Sequence, residues 1–111
     1  PAPTIADGLR PSCVGDLPFA VARDAVRGVV RVDDDAIADA FRLLLLELKV
    51  LVEPSGAAGL AGALRLAGGP EDGRYRTVGV VLTGGNVEAE LVARLAGGPV
   101  ADLARMEGVA A

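Results

Sequence analysis

The residues best suited to chemistry are a hydroxyl, two glycines and an amide, Thr83 to Asn86, which follow the apolar run 78–82. The run contains β-branched residues and no alternation of polar and apolar positions, so it predicts a strand buried on both faces. The glycines allow close approach of the backbone to a ligand, and Asn86 suits the N-cap of a helix that begins at Val87. A strand that ends in a glycine turn and a helix is where α/β folds hold ligands.

The charges beside this turn bear on the kind of ligand. Glu88 and Glu90 would lie in the first helical turn and repel a phosphate, which helix N-termini otherwise attract. The sequence is neither a Walker loop nor a complete dinucleotide fingerprint. Two interpretations therefore stay open: a tight turn that binds nothing, and a neutral ligand atom that faces the Thr83 hydroxyl.

Glu53 is the second candidate, because it lies between an apolar run and a helix of small residues that starts at Pro54. We expect its side chain to be partly buried, and a buried carboxylate is costly unless it is paired or functional. Spacing alone favours a carboxylate at the start of a helix that is satisfied by nearby N–H groups.

Several classes of site are excluded or disfavoured by residues that are scarce. The chain has no histidine, and Lys49 is its one lysine, which removes His-based triads and most general-base chemistry near neutral pH. Cys13 stands alone, so neither a disulfide framework nor a cysteine metal site is expected. The acids Asp33 to Asp35 are better explained as a helix cap than as metal ligands.

Composition bounds the class of protein. The 111 residues suffice for one small domain, and with 51% hydrophobic but only 3% aromatic residues the core must consist of Ala, Val and Leu. The net charge of −4, without a basic cluster, disfavours nucleic acid and anionic membranes as partners. No run is apolar enough to span a membrane and no signal peptide is visible, so we expect a cytoplasmic protein. Since the chain begins at Pro1 without Met, it has the character of a piece of a longer protein or a processed product.

Hydrophobic periodicity predicts alternating helices and strands. We expect helices at 16–27, 35–49, 54–67 and 87–96, strands at 29–32 and 78–82, and a weak helix at 103–106 or a loose tail over 100–111. The apolar stripe Ile37, Phe41, Leu44 and Leu48 should be buried, on more than one side because further leucines widen it. This order of elements predicts a parallel α/β layer arrangement.

Three glycines recur at every third position of the predicted helix 54–67. Glycine within a helix costs about 1 kcal/mol relative to alanine, so Gly56, Gly59 and Gly62 indicate that a sheet or a ligand packs very close to this helix.

Three motifs carry a family resemblance: Thr-Ile-Ala-Asp-Gly at 4–8, Val-Glu-Pro-Ser-Gly-Ala at 52–57 and Leu-Thr-Gly-Gly-Asn-Val at 82–87. In this order and spacing they resemble the C-terminal part of the pyridoxal-phosphate (PLP) dependent serine/threonine dehydratase and serine racemase family, over roughly residues 4–96. The resemblance implies a tryptophan-synthase-β-like domain (PLP fold type II), a three-layer αβα parallel sheet. Residues 1–111 would be the C-terminal portion of its large PLP-binding catalytic domain.

The same resemblance implies which residues bind the cofactor. These are Thr83, Gly84, Gly85, Gly8, Glu53 and Asn86. Thr83 would take the place of the family's usual serine at the pyridine nitrogen. A neutral hydroxyl does not force that nitrogen to be protonated, so the ring is a weaker electron sink, which suits β-elimination.

The family's Schiff-base lysine, glycine-rich phosphate loop and metal-binding acids all precede the region that this chain resembles. Lys49 matches a surface-helix position, so we expect no catalytic residue in this chain and no activity from it alone. The parent enzyme would convert a β-hydroxy amino acid into a 2-oxo acid and ammonia, as a homo-oligomer or with this chain paired to the N-terminal part. Threonine, serine and hydroxyaspartate remain open as substrates, and so does racemisation.

A second hypothesis is a non-catalytic remnant. Its wide leucine face would pair with another chain, as a structural or regulatory subunit of a larger complex.

Overall fold

The computed structural model describes residues 3–70 and 72–97 of the chain. Within these ranges the chain forms a 3-10 turn at Asp7–Leu9 and the helices α1 (Asp16–Ala25), α2 (Asp34–Leu46), α3 (Pro54–Ala67) and α4 (Ala89–Ala96). No helix in the described part is long and apolar enough to cross a membrane. The expected terminal tail, 100–111, with its weak helix, lies outside the described residues.

The core lies where α2 packs against α3. Phe41 and Leu44 of α2 are its largest fully buried side chains. The other buried apolar residues are Ala6, Ile37, Ala40, Val52, Ala57, Ala61 and Leu95. The predicted stripe is therefore confirmed at three of its positions, but it is wrong at Leu48, which is 60% exposed. Helical spacing cannot carry Leu48 onto the same face, because α2 ends at Leu46.

The two ends of α2 differ from a simple helical pattern. Asp33 is the N-cap and its carboxylate accepts the Ala36 N–H at 2.9 Å, which confirms the cap interpretation of the acidic run. At the other end Lys49 has a φ of 59°, and the next N–H, that of Val50, donates to the Leu44 carbonyl at 2.9 Å. Lys49 therefore lies in the left-handed turn that ends the helix and is not a helical residue.

Helix α3 has the predicted bounds, and Pro54 occupies its first turn as expected. A Cβ built at Gly56 would collide with the Thr83 carbonyl oxygen, and one at Gly59 would lie 3.3 Å from Val80 Cγ1. At Gly62 it would lie 3.8 Å from Val30 Cβ, an ordinary contact. The predicted close approach is confirmed at Gly56 and Gly59, where the neighbours are the Thr83 backbone and the Val80 side chain, but not at Gly62.

The two predicted strands are not observed. Residues 29–32 and 78–82 have no assigned strand, although both lie wholly in the described part of the chain. Val29 is 87% exposed, Val78 58% and Val81 79%, so the prediction that both faces of 78–82 are covered is wrong here. A strand forms its backbone hydrogen bonds with a neighbouring strand, whereas a helix forms them within itself. The predicted parallel sheet is therefore absent from the described residues.

Two helices start or end differently from the predictions. α1 ends at Ala25, its N-cap is Gly15, and none of its residues is buried; its aromatic residue, Phe19, is 57% exposed. α4 begins at Ala89 with Glu88 as its N-cap, two residues later than predicted. Its start is delayed because the Val87 N–H donates to the Gly85 carbonyl at 3.0 Å, a local turn that a helix cannot contain.

Helix α4 is fastened to α2 by a buried arginine. Arg42 is 8% exposed, and its Nη1 donates to the Leu95 carbonyl at 3.3 Å. Its other terminal nitrogen donates to Asp39 on the same helix. These bonds, together with buried Leu95, hold α4 and thus the loop that precedes it against the helical core.

Candidate functional site

The first residue before α3, Glu53, connects two of the predicted motifs. Its N–H donates to the Gly84 carbonyl at 3.2 Å, and its Oε2 accepts the Asn86 N–H at 3.3 Å. The side chain is half-buried, as predicted. The carboxylate forms no cap bond to its own helix. The spacing predicts a Glu53 carboxylate that accepts hydrogen bonds from nearby N–H groups. The N–H that it accepts is that of Asn86, in the turn 83–86.

Gly84 occupies a position that admits no side chain. Its φ is +73°, and a Cβ there would collide with the Glu53 carboxylate. The next residue has the opposite surroundings, since a Cβ at Gly85 would meet nothing within 4 Å. The turn is therefore closed by Glu53 at Gly84 and open at Gly85.

The two oxygens of Thr83 differ in their surroundings. Its carbonyl lies against the Gly56 backbone, which fixes the start of the turn on α3. Its side chain is exposed, and its hydroxyl has no hydrogen bond to another described residue. This hydroxyl can donate to or accept from a ligand without first giving up a partner in the described chain.

The N-terminal motif meets the same end of α3. The Gly8 N–H donates to Ser55 Oγ at 2.9 Å. A Cβ at Gly8 would lie 2.9 Å from Ser55 Oγ and 3.4 Å from Glu53 Oε1. The loop that contains Gly8 thus packs on the side chains of Glu53 and Ser55, which flank Pro54 at the start of α3.

The structure brings together all six predicted cofactor-binding residues. Hydrogen bonds join Glu53 to Gly84 and to Asn86, Gly8 donates to the neighbouring Ser55, and Thr83 and Gly85 lie in the same turn as Gly84. For Asn86 the contact uses its backbone N–H. The prediction that it caps α4 is wrong, because Glu88 holds that position.

Sequence reasoning missed two residues that hold this arrangement. Ser55 bonds to Gly8, and Asp34 bonds to Thr4 and Ile5. Ser55 has a weak signal, a small hydroxyl directly after the Glu-Pro pair. Asp34 has no such signal in the sequence. The whole acidic run, Asp33 to Asp35, is explained as a helix cap, but only Asp33 accepts the capping hydrogen bond.

A cleft of about 380 Å³ opens beside the turn, between the N-terminal loop and the start of α4. Asp7, Asn86, Glu88 and Arg94 give it a mixed polar lining. Two carboxylates at its edge make it a poor receptor for an anion, which agrees with the argument against phosphate at this turn.

The geometry as a whole gathers three segments at the N-terminal end of α3, with the uncharged Thr83 hydroxyl among their exposed polar groups. Comparison with known proteins identifies the class. A family model described as "Pyridoxal-phosphate dependent enzyme" matches residues 1–84. The chain belongs to this family, which confirms the resemblance inferred from its three motifs.

The individual relatives are ammonia-lyases and racemases. The chain is 46% identical to the serine racemase of Oryza sativa subsp. indica over 87 residues, which is 77% of this chain and 25% of that protein. It is 36% identical to the L-threonine ammonia-lyase of Thermotoga maritima over 93 residues, 84% of this chain and 22% of that protein. The L-threo-3-hydroxyaspartate ammonia-lyase of Pseudomonas sp. is 35% identical over 92 residues, 83% of this chain and 28% of the relative.

The chain thus spans about a quarter of the length of the curated relatives that it matches. No solved structure matches the chain significantly.

The residues present suit one end of pyridoxal phosphate. The Thr83 hydroxyl is exposed and uncharged, and the open side of Gly85 leaves room for a flat ring, so this turn fits the pyridine end. The site offers no comparable fit to the phosphate, because Glu88 lines the adjoining cleft. Lys49 is exposed, and its ammonium group donates to the Leu46 carbonyl at the end of α2.

Proposed function

We propose that this chain is the C-terminal portion of the large PLP-binding domain of a threonine/serine dehydratase-like lyase. Membership of the PLP-dependent family and similarity to two ammonia-lyases and a serine racemase support the proposal. The observation that carries it is the junction at Glu53, where three sequence motifs of this family meet around one turn. Motifs that served only as unrelated surface loops would not be expected to lie side by side.

The proposed reaction is the β-elimination of water from a β-hydroxy amino acid; the released enamine tautomerises to an imine, and water hydrolyses this imine to a 2-oxo acid and ammonia. Bound pyridoxal phosphate supplies an electron-withdrawing ring that acidifies the α-carbon of the amino acid. The Thr83 hydroxyl would face the pyridine nitrogen and share a hydrogen bond with it. Because that hydroxyl carries no charge, it orients the ring without holding a proton on the nitrogen, a balance that favours loss of a leaving group over a long-lived carbanion.

The other residues shape the place of the ring. Gly84 and Gly85 would let the backbone approach it, while the Glu53 carboxylate and Gly8 form the neighbouring wall. Asn86 takes part through its backbone, which Glu53 holds in place. These six residues bind and orient; the catalytic lysine and the phosphate site would come from chain that precedes this portion.

The same proposal includes the complete fold, a three-layer αβα domain with a parallel sheet. Residues 29–32 and 78–82 would become strands when neighbouring strands supply backbone partners. Two observations support this. Most valines of the two segments are exposed, namely Val29, Val30, Val78 and Val81, and the small-residue face of α3 packs on the second segment as a helix packs on a sheet.

The proposal is tested by the coding sequence that surrounds this chain and by the activity of the complete product. We expect an upstream lysine motif and glycine-rich loop, and release of 2-oxo acid and ammonia from threonine or serine when PLP is present. The 111-residue chain with PLP should release neither. Activity of the chain alone, abolished by Lys49→Ala, would contradict the assignment of Lys49 as a residue of the helix end.

A second function, that of a non-catalytic subunit, is favoured by one observation: large apolar side chains such as Leu17, Val29 and Val81 are more than three-quarters exposed. Size-exclusion chromatography with light scattering separates the two cases. An obligate complex without dehydratase activity would support the subunit, and a compact monomer would count against it. Homo-oligomerisation of the complete enzyme remains part of the main proposal.

A further inference from the structure

The N-terminal loop, residues 4–9, is held by helix residues outside the proposed cofactor-binding set. At one end the Thr4 hydroxyl donates to Asp34 Oδ1 at 2.5 Å, and the Ile5 N–H donates to Asp34 Oδ2 at 2.9 Å. At the other end Gly8 donates to Ser55 Oγ at 2.9 Å. One carboxylate and one hydroxyl thus fasten a short segment at both ends.

Both anchors belong to the two helices that share the core. Asp34 opens α2 and Ser55 lies in the first turn of α3. Between the anchors Ala6 is buried at 2% exposure. The position of the N-terminal loop is therefore dictated by the helix pair, since a 3-10 turn of three residues could not fix it alone.

We infer that Ser55 and Asp34 are positioning residues that hold Gly8 against Glu53 and thereby complete the wall of the cofactor site. This inference rests on the proposed function, because Gly8 matters only if the site binds the cofactor ring. Neither residue touches the ring in this account. Ser55 acts through the Gly8 N–H and Asp34 acts through the other end of the loop.

The first test is amide hydrogen exchange of the 111-residue chain, followed by NMR. Loss of one hydrogen bond of about 1 kcal/mol corresponds to a fivefold to tenfold change in an opening equilibrium. In Ser55→Ala we expect exchange at Gly8 to rise by about that factor, with unchanged exchange in the middle of α3. Ser55→Thr keeps the hydroxyl and should restore the protection. Asp34→Ala removes both acceptors at the other end of the loop and should raise exchange at Ile5 and, by a smaller factor, at Gly8; unchanged Gly8 exchange in this variant would contradict the role of Asp34.

The opposite results overturn the inference. Unchanged Gly8 exchange in Ser55→Ala would show that the hydroxyl does not hold the loop. Loss of protection throughout α3 would show a general structural role, and failure of Ser55→Thr to restore Gly8 would exclude the hydroxyl as the cause.

A ring probe then separates this inference from the proposed function. Pyridoxine carries the pyridine ring without the phosphate, and its dissociation constant should rise several-fold in Ser55→Ala and return in Ser55→Thr. If pyridoxine fails to bind the unaltered chain, the proposed cofactor site is wrong, while the exchange data still decide whether Ser55 holds Gly8. Equal affinity in Ser55→Ala would overturn the positioning role in a site that does bind.

Discussion

The helix pair α2–α3 and the two valine segments, 29–32 and 78–82, are similarly apolar but differ in structure. In the helix pair Phe41 and Leu44 are fully buried, whereas Val29 and Val81 are more than three-quarters exposed. A helix satisfies its backbone internally and needs only a partner for one face. A strand needs backbone partners on its edges as well, so the same hydrophobic content orders one region and leaves the other without regular structure.

This contrast also explains where the candidate site is well defined. The Thr83–Asn86 turn follows one of the valine segments, yet Glu53, Gly56 and Ser55 of the helical region hold it and the neighbouring Gly8 loop. The site is therefore built by the helical region, and its ordering does not require a complete sheet.

The largest difference in stability is expected when one buried side chain of the helix pair and one exposed side chain of a valine segment are replaced separately. Phe41→Ala should lower the free energy of unfolding by about 3–5 kcal/mol, because it removes a fully buried ring and leaves a cavity. Val81→Ala should change it by less than about 0.5 kcal/mol, because that side chain is 79% exposed. Urea denaturation measures both. A comparable loss for the two variants would show that the valine segment is packed in the folded chain.

The next test concerns the contact between the two regions. Gly56→Ala places a methyl group on the Thr83 carbonyl and should cost about 1–3 kcal/mol. Gly62→Ala is the matched control on the same helix, where a Cβ fits 3.8 Å from Val30 and improved helix propensity should stabilise the chain by up to about 1 kcal/mol. Denaturation curves that rank the two variants equally would contradict the close approach of residue 83 to α3.

A smaller effect tests the start of α2. Asp33→Ala removes the acceptor for the Ala36 N–H and should destabilise the chain by about 1 kcal/mol, while Asp33→Asn retains an oxygen and should cost much less. Thermal unfolding followed by circular dichroism compares them. Equal losses in the two variants would assign the effect to the negative charge, and no loss in either would refute the cap.

The smallest effect concerns the end of α2. Lys49→Gly should stabilise the chain by up to about 1 kcal/mol, because glycine adopts a φ of 59° without steric cost. Lys49→Ala is the control, since it removes the same charge and keeps the Cβ. If alanine stabilised the chain as much as glycine, the backbone conformation of Lys49 would not be the cause.

These comparisons also show what sequence could predict. Features that depend on neighbouring residues alone are predicted correctly. The bounds of α3 follow from Pro54 and Gly68, and the buried face of α2 follows from the spacing of Ile37, Phe41 and Leu44. The candidate site was found through motifs, since the glycines at 84 and 56 mark positions where another backbone or a carboxylate leaves no room for a side chain.

The errors arose where the outcome depends on distant parts of the chain. Residues 78–82 have the composition of a strand, but composition cannot supply the neighbour that a strand requires. Asn86 has the chemistry of an N-cap, yet α4 begins only after Glu88, and Asn86 takes part through its N–H, which donates to Glu53, 33 positions away in the sequence. Ser55 and Asp34 were missed for the same reason, since their partners lie 47 and about 30 positions away.

The central claim is that the Thr83–Asn86 turn receives a pyridine ring. The most direct measurement is an NMR titration of the 111-residue chain with pyridoxine, whose dozen or so heavy atoms should bind at about millimolar affinity. We expect the amides of Thr83, Gly84 and Gly85 to shift together, Thr83→Ser to keep this response and the isosteric Thr83→Val to weaken binding several-fold. Shifts that spare this turn, or equal binding by Thr83→Val, would contradict it.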